Sequence, residues 1–220
     1  MVLAEGKSAE HLAGILRALR ARGVGALVSR PTPLQRRRLA TPALRSLRLR
    51  ALAGGRLLRL PGDLGARYRT GAVAIVTAGT SDVPLADEAS AVLRELGIDV
   101  VEAHDVGVAG LHRLLRAVAV LERRRPELYL VFAGREGALP TVVAGLVRAP
   151  VVGIPTSVGY GRGGRGEAAL TAMLQSCAPL AVVNIDAAVP AALFAAQHFL
   201  RPTAPRPTPP RRRRRRAATR

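Results

Sequence analysis

From residue 71 onward the chain alternates short β-branched apolar runs with amphipathic segments bounded by turn residues, and this rhythm constrains the fold more than any other feature. Val73-Ala74-Ile75-Val76-Thr77 and the runs 98–101, 128–132, 151–154 and 180–185 read as strands. Between them the pattern predicts a helix ending near Leu96, a helical face made by Val108, Leu111, Leu115, Val118 and Leu121, and helices over 138–147, 168–176 and 191–200. Near-continuous apolar strands separated by helices belong to a parallel sheet covered on both faces, joined by right-handed crossovers. The expected fold class is α/β, a three-layer αβα arrangement around a mainly parallel sheet. Ligands of such sheets collect at the carboxyl ends of the strands. The loops 78–84, 133–140, 155–167 and 186–190 are therefore the places to look for chemistry.

The first 70 residues read as a small α/β segment of their own. Glu5-Gly6-Lys7-Ser8 leads into His11, Leu12, Ile15, Leu16 and Leu19, an apolar stripe at helical spacing. Gly23 and Gly25 stop that helix, and Ala26-Leu27-Val28 reads as a short strand. Residues 30–59 are rich in Arg and Leu without a clean period, which predicts helical or poorly ordered chain. Residues 71–200 form the main domain. The Pro- and Arg-rich segment 201–220 buries no apolar surface and repels itself, so a disordered tail is expected.

Charge at first suggests a nucleic-acid partner, because the formal net charge is +19. Nine arginines and no acid lie within 201–220, however, so nearly half of that charge belongs to the tail. With 3% aromatic residues and no Trp, the chain offers few platforms for stacking bases. The expectation is a nonspecific polyanion contact through the tail at most. A single Cys makes no internal disulfide, and Glu5 and Lys7 stand where a cleavable leader would be apolar, which together suggest a reducing cytoplasm. Apolar stretches end well before the roughly 20 residues of a membrane span, so no membrane association is expected.

Four loop segments carry candidate chemistry. Thr80-Ser81-Asp82 follows the first main strand, with Pro84 in the first helical turn; Ser81 or Asp82 can cap that helix, or present a polar group to a cleft. Gly134-Arg135-Glu136-Gly137 places an acid at a helix start, where it complements the dipole or acts on a ligand. Gly159-Tyr160-Gly161-Arg162-Gly163-Gly164-Arg165-Gly166 lets backbone N–H groups approach a phosphate or carboxylate closely. Cys177 ends a helix; a lone Cys is commonly a small buried apolar group, and a helix C-terminus disfavours a thiolate unless a cationic substrate lies beside it. His11, His104, His112 and His198 show no metal-ligand spacing, so no protein metal site is expected.

Taken together, Gly79-Thr80-Ser81-Asp82-Val83-Pro84, Gly134-Arg135-Glu136-Gly137-Ala138-Leu139-Pro140, Pro155-Thr156-Ser157-Val158-Gly159-Tyr160-Gly161, Ser176-Cys177-Ala178-Pro179 and Asn184-Ile185-Asp186 resemble the LarB family. The resemblance covers residues 71–199, and Gly6-Lys7 with Leu27-Val28-Ser29-Arg30 looks like a shortened form of that family's N-terminal region. It implies a PurE-like fold with flavodoxin-like topology, related to aminoimidazole ribonucleotide carboxylases, and a homo-oligomer, an octamer in that group. The implied activity is carboxylation of the pyridinium ring of nicotinic acid adenine dinucleotide with cleavage of its phosphoanhydride, releasing AMP, on the route to the nickel-pincer cofactor. Magnesium and carbon dioxide or bicarbonate come with it.

By the same resemblance Cys177 is the nucleophile and Glu136 the acid that moves a proton. Thr80, Ser81, Asp82, Gly134, Arg135, Ser157, Gly159, Tyr160, Gly161, Gly163, Asn184 and Asp186 would bind substrate. Three departures stand out. Ala187-Ala188-Val189-Pro190 replaces an Asn-Gly turn, Arg162 and Arg165 replace small or apolar residues, and the N-terminal region looks truncated, so impaired catalysis is one expectation. The competing enzyme reading, an aminoimidazole ribonucleotide carboxylase or mutase of purine synthesis, uses a His before the Leu-Pro of the third loop. That place is Ala138 here.

Overall fold

A computed structural model of the chain describes residues 1–65, 67–159 and 161–200, apart from the side chain of Arg162. The expectations for Tyr160 and for the 201–220 tail lie outside the described residues.

The first part of the chain contributes β1 (Val2–Leu3), α1 (Ala9–Ala21), β2 (Ala26–Ser29), α2 (Pro33–Leu39), β3 (Arg50–Leu52) and β4 (Leu57–Leu60). The strands form a mixed sheet in the order β1-β2-β4-β3, with β1 and β2 parallel and the other pairs antiparallel. Ser8 caps α1 by accepting the His11 N–H at 3.1 Å, and the helix buries Leu12, Ala13 and Leu16, as its apolar stripe predicted. Alternation along β2 sends Ala26 and Val28 into the module's own core with Leu12, Leu16, Leu58 and Leu60. Leu27 points the other way, into the core of the main domain together with Leu57.

Residues 30–59 are ordered: the helical part of the expectation holds over Pro33–Leu39 and Pro42–Leu47, and two strands follow that were not expected. Thr32 and Gln35 form a capping box at α2 with Pro33 in its first turn, and β3 and β4 follow. The arginines showed no local period because their partners are distant in sequence. Arg56 and Arg30 pair with Glu88, and Arg59 and Arg50 pair with Glu95. Glu88 is fully buried between two arginines.

The main domain runs β5 (Ala72–Thr77), α3 (Val83–Glu95), β6 (Asp99–Ala103), α4 (Leu111–Glu122), β7 (Leu128–Ala133), α5 (Ala138–Leu146), β8 (Val151–Pro155), α6 (Glu167–Leu174), β9 (Ala181–Val182) and α7 (Ala188–His198). All four strand pairs are parallel, in the order β6-β5-β7-β8-β9. Counted within the domain this is 2-1-3-4-5, the flavodoxin-like order. Val73 and Ile75 of β5 with Leu128, Leu130 and Phe132 of β7 face α3 and α7. Ala74, Val76, Tyr129 and Val131 face α4, α5 and α6. The three-layer αβα reading is borne out, and burying one such Val, Ile or Leu side chain contributes about 2 kcal/mol.

Three element readings change in detail. On α4 the buried residues are Leu114, Val118 and Leu121, whereas Leu111 and Leu115 are each 47% exposed. Val118 and Leu121 are buried as expected, but the helix begins only at Leu111, after a 3-10 turn at Val108–Gly110, and Leu114 takes the inward place expected of Leu111 and Leu115. β9 is two residues long because 183–186 leave the strand to reach the end of β8, where the Asp186 N–H donates to the Pro155 carbonyl at 2.8 Å. α7 begins at Ala188 instead of 191, since Pro190 in its first turn loses no helical hydrogen bond. Among the described residues no helix is long and apolar enough to cross a membrane.

Candidate functional site

In a 2-1-3-4-5 sheet the chain leaves β5 toward one side and returns on the other, opening a crevice at the carboxyl ends of β5 and β7. The structure has a cleft of about 280 Å³ there. Its walls come from the loops after β5 (Ser81, Asp82), after β6 (Asp105, Arg113) and after β7 (Arg135, Glu136), with Val158 beyond β8. A larger hollow of about 590 Å³ on the N-terminal module, between Lys7, Arg30, Gln35 and Arg38, shares no lining residue with it. Position at the topological switch point favours the smaller cleft as the seat of chemistry.

Asp82 anchors the cleft. It is 4% exposed, and both carboxylate oxygens are engaged: the Thr156 hydroxyl donates to Oδ1 at 2.6 Å and the Gly79 N–H donates to Oδ2 at 2.9 Å. Its side chain therefore does not cap α3, which starts without a side-chain cap. Burial pushes the Asp82 carboxyl above the ordinary aspartate range, partly opposed by those two donors, which favour the charged form. A folded state that holds this proton more tightly than the unfolded chain gains stability at low pH. The gain is complete below the unfolded aspartate value and is lost as pH rises through the higher folded value. Asp82→Asn is accordingly expected to flatten the fall of unfolding free energy with pH in that window, whatever fixed cost the lost acceptor adds; urea denaturation across a pH series measures the slope.

Glycines let these loops close on one another. A Cβ on Gly134 would stand 2.2 Å from both the Thr156 Oγ1 and the Val158 carbonyl, and one on Gly166, whose φ is +80°, would stand 2.7 Å from the Thr156 carbonyl. The glycine-rich segment is thus folded back onto the end of β8 as 3-10 turns over Gly161–Gly166.

The cleft gathers Ser81, Asp82, Gly134, Arg135 and Glu136 from among the expected site residues. Ser157 and Asp186 are joined to each other, the Ser157 N–H donating to the Asp186 carboxylate at 2.8 Å. Thr80, Gly159, Gly161, Gly163 and Asn184 are outside the lining. Cys177 is not brought to the cleft within one chain. It precedes β9, toward the amino ends of the parallel strands, whereas the cleft is at their carboxyl ends. Nor is it the small buried apolar group a lone Cys commonly is, since its thiol is free and exposed.

Asp105, Gly107 and Arg113 escaped the sequence reading. The Asp105 N–H donates to Thr77 Oγ1 at 3.1 Å and the Val106 and Gly107 N–H groups donate to the Thr77 and Ala78 carbonyls, clipping this loop to the end of β5. Arg113 Nη1 donates to the Asp105 carbonyl at 2.8 Å and to its carboxylate at 3.1 Å. A signal existed: Asp105-Val106-Gly107 also follows a strand, but that strand was read as ending at Val101, short of Glu102 and Ala103. Among the described residues no three His, Cys, Asp or Glu side chains gather to hold a metal.

Comparison with known proteins decides the family, because residues 72–203, more than half of the chain, match the model described as AIR carboxylase. The chain belongs to the AIR carboxylase family. Its fold is PurE-like, and its relatives in this enzyme family include the N5-carboxyaminoimidazole ribonucleotide mutase of Methanocaldococcus jannaschii, 29% identical over 126 residues, which are 56% of this chain and 75% of that one. The uncharacterized protein MJ0165 of the same organism is 46% identical over 128 residues, 58% of this chain and 49% of its own length, so the chain spans about half of that relative. The crystal structure of Treponema denticola PurE is similar with a TM-score of 0.49 and 26% identity, over 60% of this chain and 80% of that one.

Proposed function

We propose that this AIR carboxylase family member carboxylates the pyridinium ring of nicotinic acid adenine dinucleotide and hydrolyses its phosphoanhydride, releasing AMP. The observation that carries the reading is the chemistry at the third loop. The residue after the cleft-lining Gly137 is Ala138, where an aminoimidazole ribonucleotide enzyme uses a His, and among the described lining residues the titratable groups are Asp82, Asp105, Arg113, Arg135 and Glu136. A family member without that His but with a free exposed thiol suits a substrate that needs a nucleophile.

The electron flow follows from the ring. A pyridinium is electron-poor and does not attack carbon dioxide, so the Cys177 thiolate first adds to a ring carbon, forming a C–S bond and a neutral enamine. The enamine carbon attacks carbon dioxide, forming the C–C bond and restoring the cationic iminium. Glu136 takes the proton from the newly carboxylated carbon, which regenerates the enamine. The enamine electron pair then expels the thiolate and the pyridinium returns, now with one more carboxylate. Water attacks phosphorus in the separate hydrolysis, breaking the phosphoanhydride P–O bond. In this reading the phosphates run along the backbone of Gly161–Gly166, beside Ser157 and Asp186.

Because Cys177 is remote from Glu136 along the strand direction, the reading requires a second copy of the chain to present the thiol at the cleft. Among the described residues no all-protein cage for magnesium is found; an ion carried on substrate phosphate would share the exposed carboxylates Asp105 and Glu136.

Incubating the purified chain with nicotinic acid adenine dinucleotide and bicarbonate is expected to yield AMP and a mononucleotide heavier by one carboxylate, read by mass spectrometry. Aminoimidazole ribonucleotide with bicarbonate is expected to give no turnover. Turnover of that substrate with none of the dinucleotide would overturn the proposal.

A further inference from the structure

We propose that Arg30 is a positioning residue through which the N-terminal module sets the loop between β9 and α7, and with it the Ser157 backbone beside the cleft. Arg30 follows β2 directly with a left-handed φ of +50°, and its guanidinium leaves the module in two directions. Nη2 donates to the Asp186 carbonyl, and Nε lies 3.5 Å from Oε1 of Glu88 on α3. The second oxygen of Glu88 accepts from Arg56 Nε at 3.2 Å, and the Arg30 N–H donates to the Arg56 carbonyl at 2.7 Å, so the two arginines grip the helix as a unit.

Glu88 is fully buried, and among the described residues its Oε1 has no hydrogen-bond donor; the Arg30 charge facing it is the compensation a buried carboxylate requires. That fixes where the guanidinium stands. From that place it reaches Asp186, a left-handed residue with φ of +57°. Asp186 joins three parts of the site: its N–H donates to the Pro155 carbonyl at 2.8 Å, its carboxylate accepts the Ser157 N–H at 2.8 Å, and its carbonyl accepts the Ala188 N–H at 2.9 Å where α7 begins. Arg30 holds the same carbonyl from outside. Leu27-Val28-Ser29-Arg30, which no step of the reaction uses, thereby acquires a task. Lysine cannot perform it, because one ammonium does not serve a carboxylate and a carbonyl along the two edges of a planar fork.

Amide hydrogen exchange on the full chain tests this without any substrate, using peptides that cover 155–158 and 184–190. Arg30→Gln is expected to speed exchange in both by roughly tenfold or more, the factor that losing a charge-assisted hydrogen bond implies, while β5 and β7 stay protected. Arg30→Lys, which keeps a positive charge near Glu88, is expected to preserve the module and still loosen 184–190. Arg56→Gln, which leaves Asp186 untouched, is expected to spare both peptides. Native protection of 155–158 and 184–190 in Arg30→Gln, or equal loosening by Arg56→Gln, would overturn the proposal. The consequence for turnover rests on the carboxylase reading: a loosened loop should raise KM for the dinucleotide more than it lowers kcat. Loosening with KM unmoved would remove Ser157 and Asp186 from the substrate site and leave the positioning role of Arg30 intact.

Discussion

Replacing Cys177 by Ala is expected to reduce carboxylation of nicotinic acid adenine dinucleotide by roughly a thousandfold or more, while the dinucleotide still binds. Without a thiolate to form the enamine the ring has no nucleophilic carbon, so the loss falls on the chemical step. Because the side chain is exposed, the substitution should cost the fold no more than about 0.5 kcal/mol. Mass analysis of products and calorimetric titration with the dinucleotide measure the two halves of the expectation. Full activity in Cys177→Ala would end the covalent mechanism. The separation of Cys177 from the cleft adds a second readout. If one copy supplies the thiol and another the acid, mixing Cys177→Ala with Glu136→Gln protein under conditions that exchange subunits should recover a fraction of activity that neither variant has alone. No recovery would mean that the reacting groups are not shared between copies.

Gly134→Ala is expected to destabilise the protein by about 3 kcal/mol and to collapse the cleft. The added Cβ would stand 2.2 Å from the Thr156 hydroxyl oxygen and from the Val158 carbonyl, and the first of these is the donor that holds Asp82. Relief of one clash moves the hydroxyl that anchors the carboxylate; relief of the other moves the backbone entering the glycine-rich segment. Chemical denaturation with the catalytic assay distinguishes this from a generic glycine effect when Gly145→Ala is measured beside it. Gly145 lies in α5 with nothing within 4 Å of its would-be Cβ, so that change should stabilise by about 0.5 kcal/mol or more. A native-like stability for Gly134→Ala would show that the loops are not packed as described.

Strand and helix alternation was legible because both faces of β5, β7 and β8 are buried, which forces unbroken apolar runs. β6 lies at the sheet edge, where Glu102 interrupts its apolar run, so its last two residues were missed, and Asp105 and Arg113 with them. The Arg-rich stretch 30–59 was illegible for a different reason. Its order comes from Glu88 and Glu95 on α3 and from an apolar surface shared with the main domain, none of which leaves a local period.

The glycine positions and the acids beside them were visible from composition and spacing, and those at the ends of β5 and β7 did converge. Which loops share a wall was not visible, since that depends on strand order. The parallel order β6-β5-β7-β8-β9 brings Asp82 and Glu136 to one crevice and leaves Cys177 toward the opposite ends of the strands. Local sequence determined the elements because burial periodicity, caps and turn residues act within a few positions. Tertiary structure alone decided which groups meet, because strand pairing and buried ion pairs join residues far apart in the chain.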